Sequence, residues 1–187
     1  MKYQSPIRHT TLLCRLQYLL FATLFFLSSC AAAPSLSFQG TNLDPRVQTM
    51  NIDNFDVEIA NGPANLGLNF TERLREYFQR NTRLGLVSSN GHLSFSGTIT
   101  KYEVTPVAPS GQQTGDLQLL ASRQRLTITV KVNYINSFDE SQDFDQEFAF
   151  FADFDQNQTL IQVEQSLIPT ILNQIILDIF NKSVANW

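Results

Sequence analysis

Cysteine is almost missing from this chain. Of 187 residues, only Cys14 and Cys30 are cysteines and only His9 and His92 are histidines. Cys14 and His9 lie in an N-terminal stretch read below as a signal, which leaves Cys30 and His92, too few for a His/Cys metal site. One remaining thiol also excludes a disulfide framework, so the core has to hold by packing alone. Acidic residues are absent before Asp44, while Lys2, Arg8 and Arg15 give the N-terminus a positive flank. No apolar run reaches the roughly 20 residues that a spanning helix needs, and the one from Leu16 to Leu27 stops at about a dozen. The eight glycines form no phosphate-cradling loop.

What is present at the N-terminus is "LFATLFFLSSC", Leu20 to Cys30. A basic flank and a short apolar run fit a signal sequence. Ser28 and Ser29 let a peptidase approach the backbone before Cys30, whose thiol can carry a lipid. The stretch resembles the bacterial lipobox, which implies a diacylglycerol thioether on Cys30, cleavage before it and acylation of the new amino terminus. An ordinary secretory site at Ala31-Ala32-Ala33 or a short anchor is the alternative; the cysteine standing where the apolar run stops favours the lipobox. The expected division is a signal peptide over 1–29, a lipidated tether over 30–37 and one domain over 38–187. Cys14 would be discarded with the signal.

The remaining chain carries ten basic and 17 acidic residues, a formal charge of −7. That balance argues against a bulk preference for nucleic acid. Acyl chains, at about 0.8 kcal/mol per buried methylene, would hold such a domain at a membrane surface.

Periodicity then orders the domain. Val47 to Phe55 reads as a strand. Leu66, Phe70, Leu74, Tyr77 and Phe78 form one helical stripe that should end near Asn81. "LGLVSSNGHLSFSGTI" reads as strand, turn, strand, with Asn90-Gly91 as a hairpin signal. The alternation slips near Lys101, which suggests a bulge or an edge. A long connection rich in Pro, Gly, Ser and Gln runs from Thr105 to Gln124. Leu126, Ile128, Val130, Val132 and Tyr134 alternate with Arg125, Thr127, Thr129, Lys131 and Asn133, the cleanest strand in the chain. Its partner spans Phe144 to Phe154, with Phe144, Phe148, Phe150 and Phe154 on one face and Asp145, Glu147, Phe151 and Asp153 on the other. A last helix of roughly two dozen residues starts at a capping box on Thr159 and contains Pro169, expected to kink or split it. The fold class is α+β: two helices packed on one face of a mostly antiparallel sheet of four to five strands.

Chemistry is sparse. His92 is the one histidine after the signal, beside a turn, and no second base completes a nucleophilic set. The acidic stretch "FDESQDFDQEF" lacks the glycine of a calcium loop, and its carboxylates alternate with phenylalanines. It reads as a solvated turn and strand face. No enzyme, cofactor or metal is expected. Lys101, Arg123, Arg125 and Lys131 would share the outward sheet face. They are either ordinary solubilising side chains or a basic patch for phosphates or carboxylates.

Three stretches, "RLGLVSSNGHLSFSGTITKYEVTPVA", "RLTITVKVNYIN" leading on to "FADFD", and "DIFNKSVANW", together resemble the LptE family of lipopolysaccharide-assembly lipoproteins. The resemblance covers about Phe38 to Trp187. It implies two helices on a four-stranded or slightly larger sheet, at the periplasmic face of the outer membrane. It further implies a role as plug and partner of the large β-barrel LptD, in placing lipopolysaccharide in the outer leaflet. Members bind lipopolysaccharide through basic residues on the exposed sheet. Lys101, Arg123, Arg125 and Lys131 match that description by position and charge, not by a residue-for-residue alignment. A stand-alone periplasmic carrier of a lipid or glycan is the alternative.

Overall fold

A computed structural model of the protein describes residues 43–107 and 123–185. Cys30, the tether and most of the Thr105–Gln124 connection lie outside the described residues, as does Trp187.

The chain enters through β1 (Thr49–Ile52) and β2 (Asp56–Val57), then the first helix, α1 (Leu66–Asn81). Its stripe was set by spacing: Leu66, Phe70, Leu74 and Phe78 are all buried, and Tyr77 packs at their margin. The helix ends where expected, the Thr82 N–H donating to the Phe78 carbonyl at 2.9 Å. Next come β3 (Gly85–Leu86), β4 (Leu93–Pro106), β5 (Arg123–Asn136), a 3-10 turn over Glu140–Gln142, β6 (Phe144–Asp155), α2 (Leu160–Phe180) and a π turn over Asn181–Ala185.

The sheet has six strands in the order β3-β1-β4-β5-β6, with β2 also paired to β4. The long strands β4, β5 and β6 are antiparallel neighbours, as alternation implied. The short ones are not: β1 and β2 run parallel to β4, and β3 parallel to β1. Asn90-Gly91 therefore turns no hairpin, because β1 lies between β3 and β4. Instead the loop from β3 to β4 straps across β1. Asn51, pointing away from the core side chains Met50 and Ile52, is buried beneath it, and its Oδ1 accepts from the Gly91 N–H at 3.0 Å. A Cβ on Gly91 would stand 2.6 Å from the Met50 carbonyl carbon, so the crossing needs glycine. Asn90 takes a positive φ of 55° to complete it. The sequence signal marked a tight backbone feature correctly and its partner strand wrongly.

The slip in alternation is a bulge: the β4–β5 register shifts between Ile99 and Lys101. It keeps Lys101, opposite Thr129, on the outward face with Lys131. Inward, Leu126, Ile128, Val130, Val132 and Tyr134 are fully buried under the two helices. Phe78 joins all three parts of the core, its ring meeting Phe95 of β4 at 4.9 Å and Phe180 of α2 at 5.2 Å. At the start of α2 the Thr159 N–H donates to Gln162 Oε1 at 2.9 Å. The helix is continuous through Pro169, so the proline does not split it. Directly after it, the Thr170 hydroxyl donates back along the helix to the Ser166 carbonyl at 3.0 Å. Beyond it the π turn is pinned to the sheet, Tyr134 donating its phenolic proton to the Ser183 carbonyl at 3.3 Å.

Candidate functional site

The face of the sheet opposite the helices is where side chains meet solvent in register. Along β5 it carries Arg123, Arg125, Thr127, Thr129, Lys131 and Asn133. Beside them on β4 stand Lys101, Glu103 and Thr105, and on β6 Asp145, Glu147, Phe151, Asp153 and Asp155. All four basic residues expected on this face are there. They are not alone.

Arg125 lies directly across from Asp153, and the two form a bidentate pair, Nε to Oδ1 at 2.7 Å and Nη2 to Oδ2 at 3.0 Å. Its guanidinium also covers the Phe151 ring, 3.6 Å from the centroid. A planar cation held by a fork on one side and a ring on the other is positioned rather than swinging. The hydrogen bond to Arg125 holds the Asp153 carboxyl below its ordinary range, and the same bond raises Arg125. Lys131 reaches diagonally to Asp145 at 3.1 Å, and Lys101 to Glu103 at 3.5 Å. Both lysine side chains keep about half their surface exposed, 51% and 54%. Arg123 faces Asp155 across the ladder.

The arrangement is a chequer of both charges with hydroxyls between, rather than a basic field. Spacing along β5 and β6 could place each residue on its face. It could not show that Asp153 sits opposite Arg125, because register is a property of the hairpin and not of either strand. The Phe151 signal was visible as an aromatic on a polar face, but its cation was not.

His92 is no free turn residue. Its Nδ1 accepts from the Gln48 N–H at 3.1 Å, and its ring meets Phe138 edge-on at 4.9 Å. Around it lies an open polar hollow of about 470 Å³, lined by Asn51, Asp53, Ser89, Asn90 and Ser137. At the far end of the sheet the Tyr102 hydroxyl donates to Glu164 at 2.7 Å; its burial and that carboxylate push the phenol's pKa up. Among the described residues no cluster of three or more His, Cys, Asp or Glu could hold a metal ion. No described helix is long and apolar enough to cross a membrane.

No curated protein sequence matches the chain. Solved structures that resemble it include a minor lipoprotein from Acinetobacter baumannii, 14% identical with a TM-score of 0.45, covering 73% of this chain and 91% of that one. The rare lipoprotein B from Shewanella oneidensis is 9% identical, TM-score 0.42, covering 72% and 90%. The hypothetical protein CT253 from Chlamydia trachomatis is 8% identical, TM-score 0.49, covering 74% and 99%. The profile of the LptE family, described as lipopolysaccharide-assembly, matches residues 47–183, from the entry to β1 into the π turn after α2. The chain belongs to the LptE lipopolysaccharide-assembly family.

Proposed function

We propose that this protein is an outer-membrane lipoprotein, held at the periplasmic face through lipid on Cys30 once residues 1–29 are removed. A tether over 30–37 would then join the anchor to a single domain, 38–187. It seats in an LptD-type β-barrel as plug and partner, and assists the insertion of lipopolysaccharide. Its contribution is shape and hydrogen bonding, without catalysis or a cofactor.

The observation that carries this reading is the outward sheet face. A barrel lumen is polar, so what fills it has to be wettable on the side it presents. Arg125 with Asp153, Lys131 with Asp145 and Lys101 with Glu103 give such a surface, with charge balanced locally and threonines between. Balanced charge avoids a long-range field that would draw the domain to any acidic surface. Family membership supplies the lipopolysaccharide context.

Lys101, Arg123, Arg125 and Lys131 are the residues we assign to lipopolysaccharide phosphates. The lysines, exposed and monodentate, can exchange a carboxylate for a phosphate, whereas Arg125 would meet one while its Nε and Nη2 stay on Asp153. Extraction of native membranes in mild detergent tests the central claim: a large β-barrel should co-purify, and Cys30→Ala should leave the protein unlipidated and missing from the outer-membrane fraction. Recovery of the wild type as a free monomer would refute the partnership. The second reading, a stand-alone periplasmic lipid or glycan carrier, is favoured by the four cations sharing one face. There the protein without its barrel would bind ligand, and Arg125→Glu and Lys131→Glu would abolish it.

A further inference from the structure

We infer that the outer edge of β6 is a docking site for an extended, basic segment of a partner protein, added to the sheet as a further strand. This goes beyond the proposed barrel partnership and does not depend on it.

The backbone direction follows from the ladder. The Ser137 N–H donates to the His92 carbonyl at 2.9 Å, and the Val107 N–H to the Arg123 carbonyl at 3.0 Å. Odd-numbered residues of β5 therefore bond to β4, and by alternation the even-numbered ones bond to β6. Even residues of β5 face even residues of β6, as Val130 faces Phe148. The N–H and C=O groups of Asp145, Glu147, Ala149, Phe151 and Asp153 are left pointing away from the sheet. Among the described residues no other element makes a backbone hydrogen bond to them. That edge runs for roughly 27 Å at about 3.4 Å per residue.

Sheet edges of this length are ordinarily blunted by charge, above all lysine, by proline or by a bulge. β6 uses charge of one sign only: no Lys, Arg or Pro lies in Phe144–Asp155, and its register with β5 is unbroken. What the edge carries instead is acid. Asp145, Glu147 and Asp153 point outward along it, with Asp155 at its end, and Glu147 has no ion-pair partner among the described residues. On the other face Phe144, Phe150 and Ala152 are half-buried, with Gln146 exposed between them, so an incoming strand would find mostly apolar surface on the helix side.

Charge selects the occupant. In a two-fold pairing of β6 with a second copy, centred on Phe150, Asp145 would face Asp155 and Glu147 would face Asp153. Like charges directly opposite destabilise a pair, so this register, which overlaps the two strands most fully, is disfavoured for a second copy. A strand with Lys or Arg on the outward side and apolar residues on the other satisfies both faces. Opposite Phe151 its cation would also find a ring, as Arg125 does. Backbone bonds supply affinity and the alternating side chains supply selection.

The test uses the full-length lipoprotein in non-ionic detergent, against micelles alone. The probe is a labelled peptide of about nine residues alternating Lys and Val, long enough to cover the edge. Binding is expected for this peptide and not for its Glu–Val counterpart, nor for a Lys–Pro peptide of equal charge. Ala149→Pro removes one outward N–H and none that bonds β5, and should weaken binding about tenfold, as the loss of one backbone hydrogen bond predicts. Glu147→Lys should weaken it comparably without touching the backbone. Amide exchange gives the second readout: Glu147, Ala149 and Phe151 should exchange faster than Phe148 and Phe150, and slow when peptide is added. Equal binding of the Lys–Pro peptide, or full binding by Ala149→Pro, would reduce the effect to charge and overturn strand addition. Protection of the outward amides in the free protein would overturn it too, since another part of the chain would then own the edge.

Discussion

Truncating Phe78 to alanine should cost this fold a large share of its stability, because one ring ties α1 to both other parts of the core. Phe78 is fully buried, and its centroid stands 4.9 Å from Phe95 and 5.2 Å from Phe180, with interplanar angles of 67° and 73°. Removing a buried phenylalanine costs about 3–5 kcal/mol. Domains of this size have roughly 5–15 kcal/mol in total. At about 2–4 °C per kcal/mol, the midpoint of thermal unfolding should fall by roughly 6–20 °C. The mechanism is separable from simple cavity loss. Phe78→Leu keeps most of the apolar volume and loses the edge-to-face geometry, worth about 0.5–1.5 kcal/mol for each ring pair. A double-mutant cycle of Phe78→Leu with Phe180→Leu, read by urea denaturation, should therefore return a coupling of about that size. A loss under about 1 kcal/mol for Phe78→Ala would mean that α1 is not seated on the sheet as described. Additive effects in the cycle would sink the claim that the two helices are joined through these rings.

Thr71 is buried in α1, donating to the Gly67 carbonyl at 2.8 Å and accepting from the Phe55 N–H at 3.0 Å. Thr71→Val keeps the shape but strands that amide, so denaturation should show a loss of about 1–3 kcal/mol, with faster exchange at Phe55. Asp153 has its carboxyl pKa lowered from 3.8, chiefly by the Arg125 hydrogen bond. A depressed folded value means a stabilisation present above the unfolded pKa and lost as pH falls through the folded one. NMR titration should place the Asp153 midpoint below 3.8, and Arg125→Ala should move it upward; an unmoved midpoint would deny the pair. Gly97→Ala should disrupt the middle of the sheet. Its Cβ would run into the Lys131 carbonyl and stand 2.6 Å from the Phe55 ring. Urea midpoints equal to wild type would show that β4 and β5 can part there at no cost.

Much of the molecule is legible in the sequence because its signals are local. Alternation in Arg125–Tyr134 and Phe144–Phe154 identified β5 and β6 and their faces. The stripe from Leu66 to Phe78 identified α1, and the slipped phase near Lys101 marked the bulge. The errors came where a local signal has a distant partner. Asn90-Gly91 does make a positive-φ turn, but the strand lying between its two arms comes from forty residues earlier in the chain, at Met50 and Asn51. Pro169 marked a real interruption of backbone bonding, yet the helix passes through it while Ile168, Ile171 and Leu172 stay buried.

By itself, then, the sequence determined which residues can be helix, strand and core, since side-chain period and turn chemistry are set within a few neighbours. It also showed how little thiol and imidazole chemistry the chain carries, with two cysteines and two histidines in 187 residues. The tertiary structure alone decided that the four cations of the outward face each stand near an acid, that Phe151 lies under Arg125, and that β6 ends the sheet with an acidic edge. These follow from register and strand order, which are fixed when strands far apart in the chain close on a shared core. No local pattern contains that information.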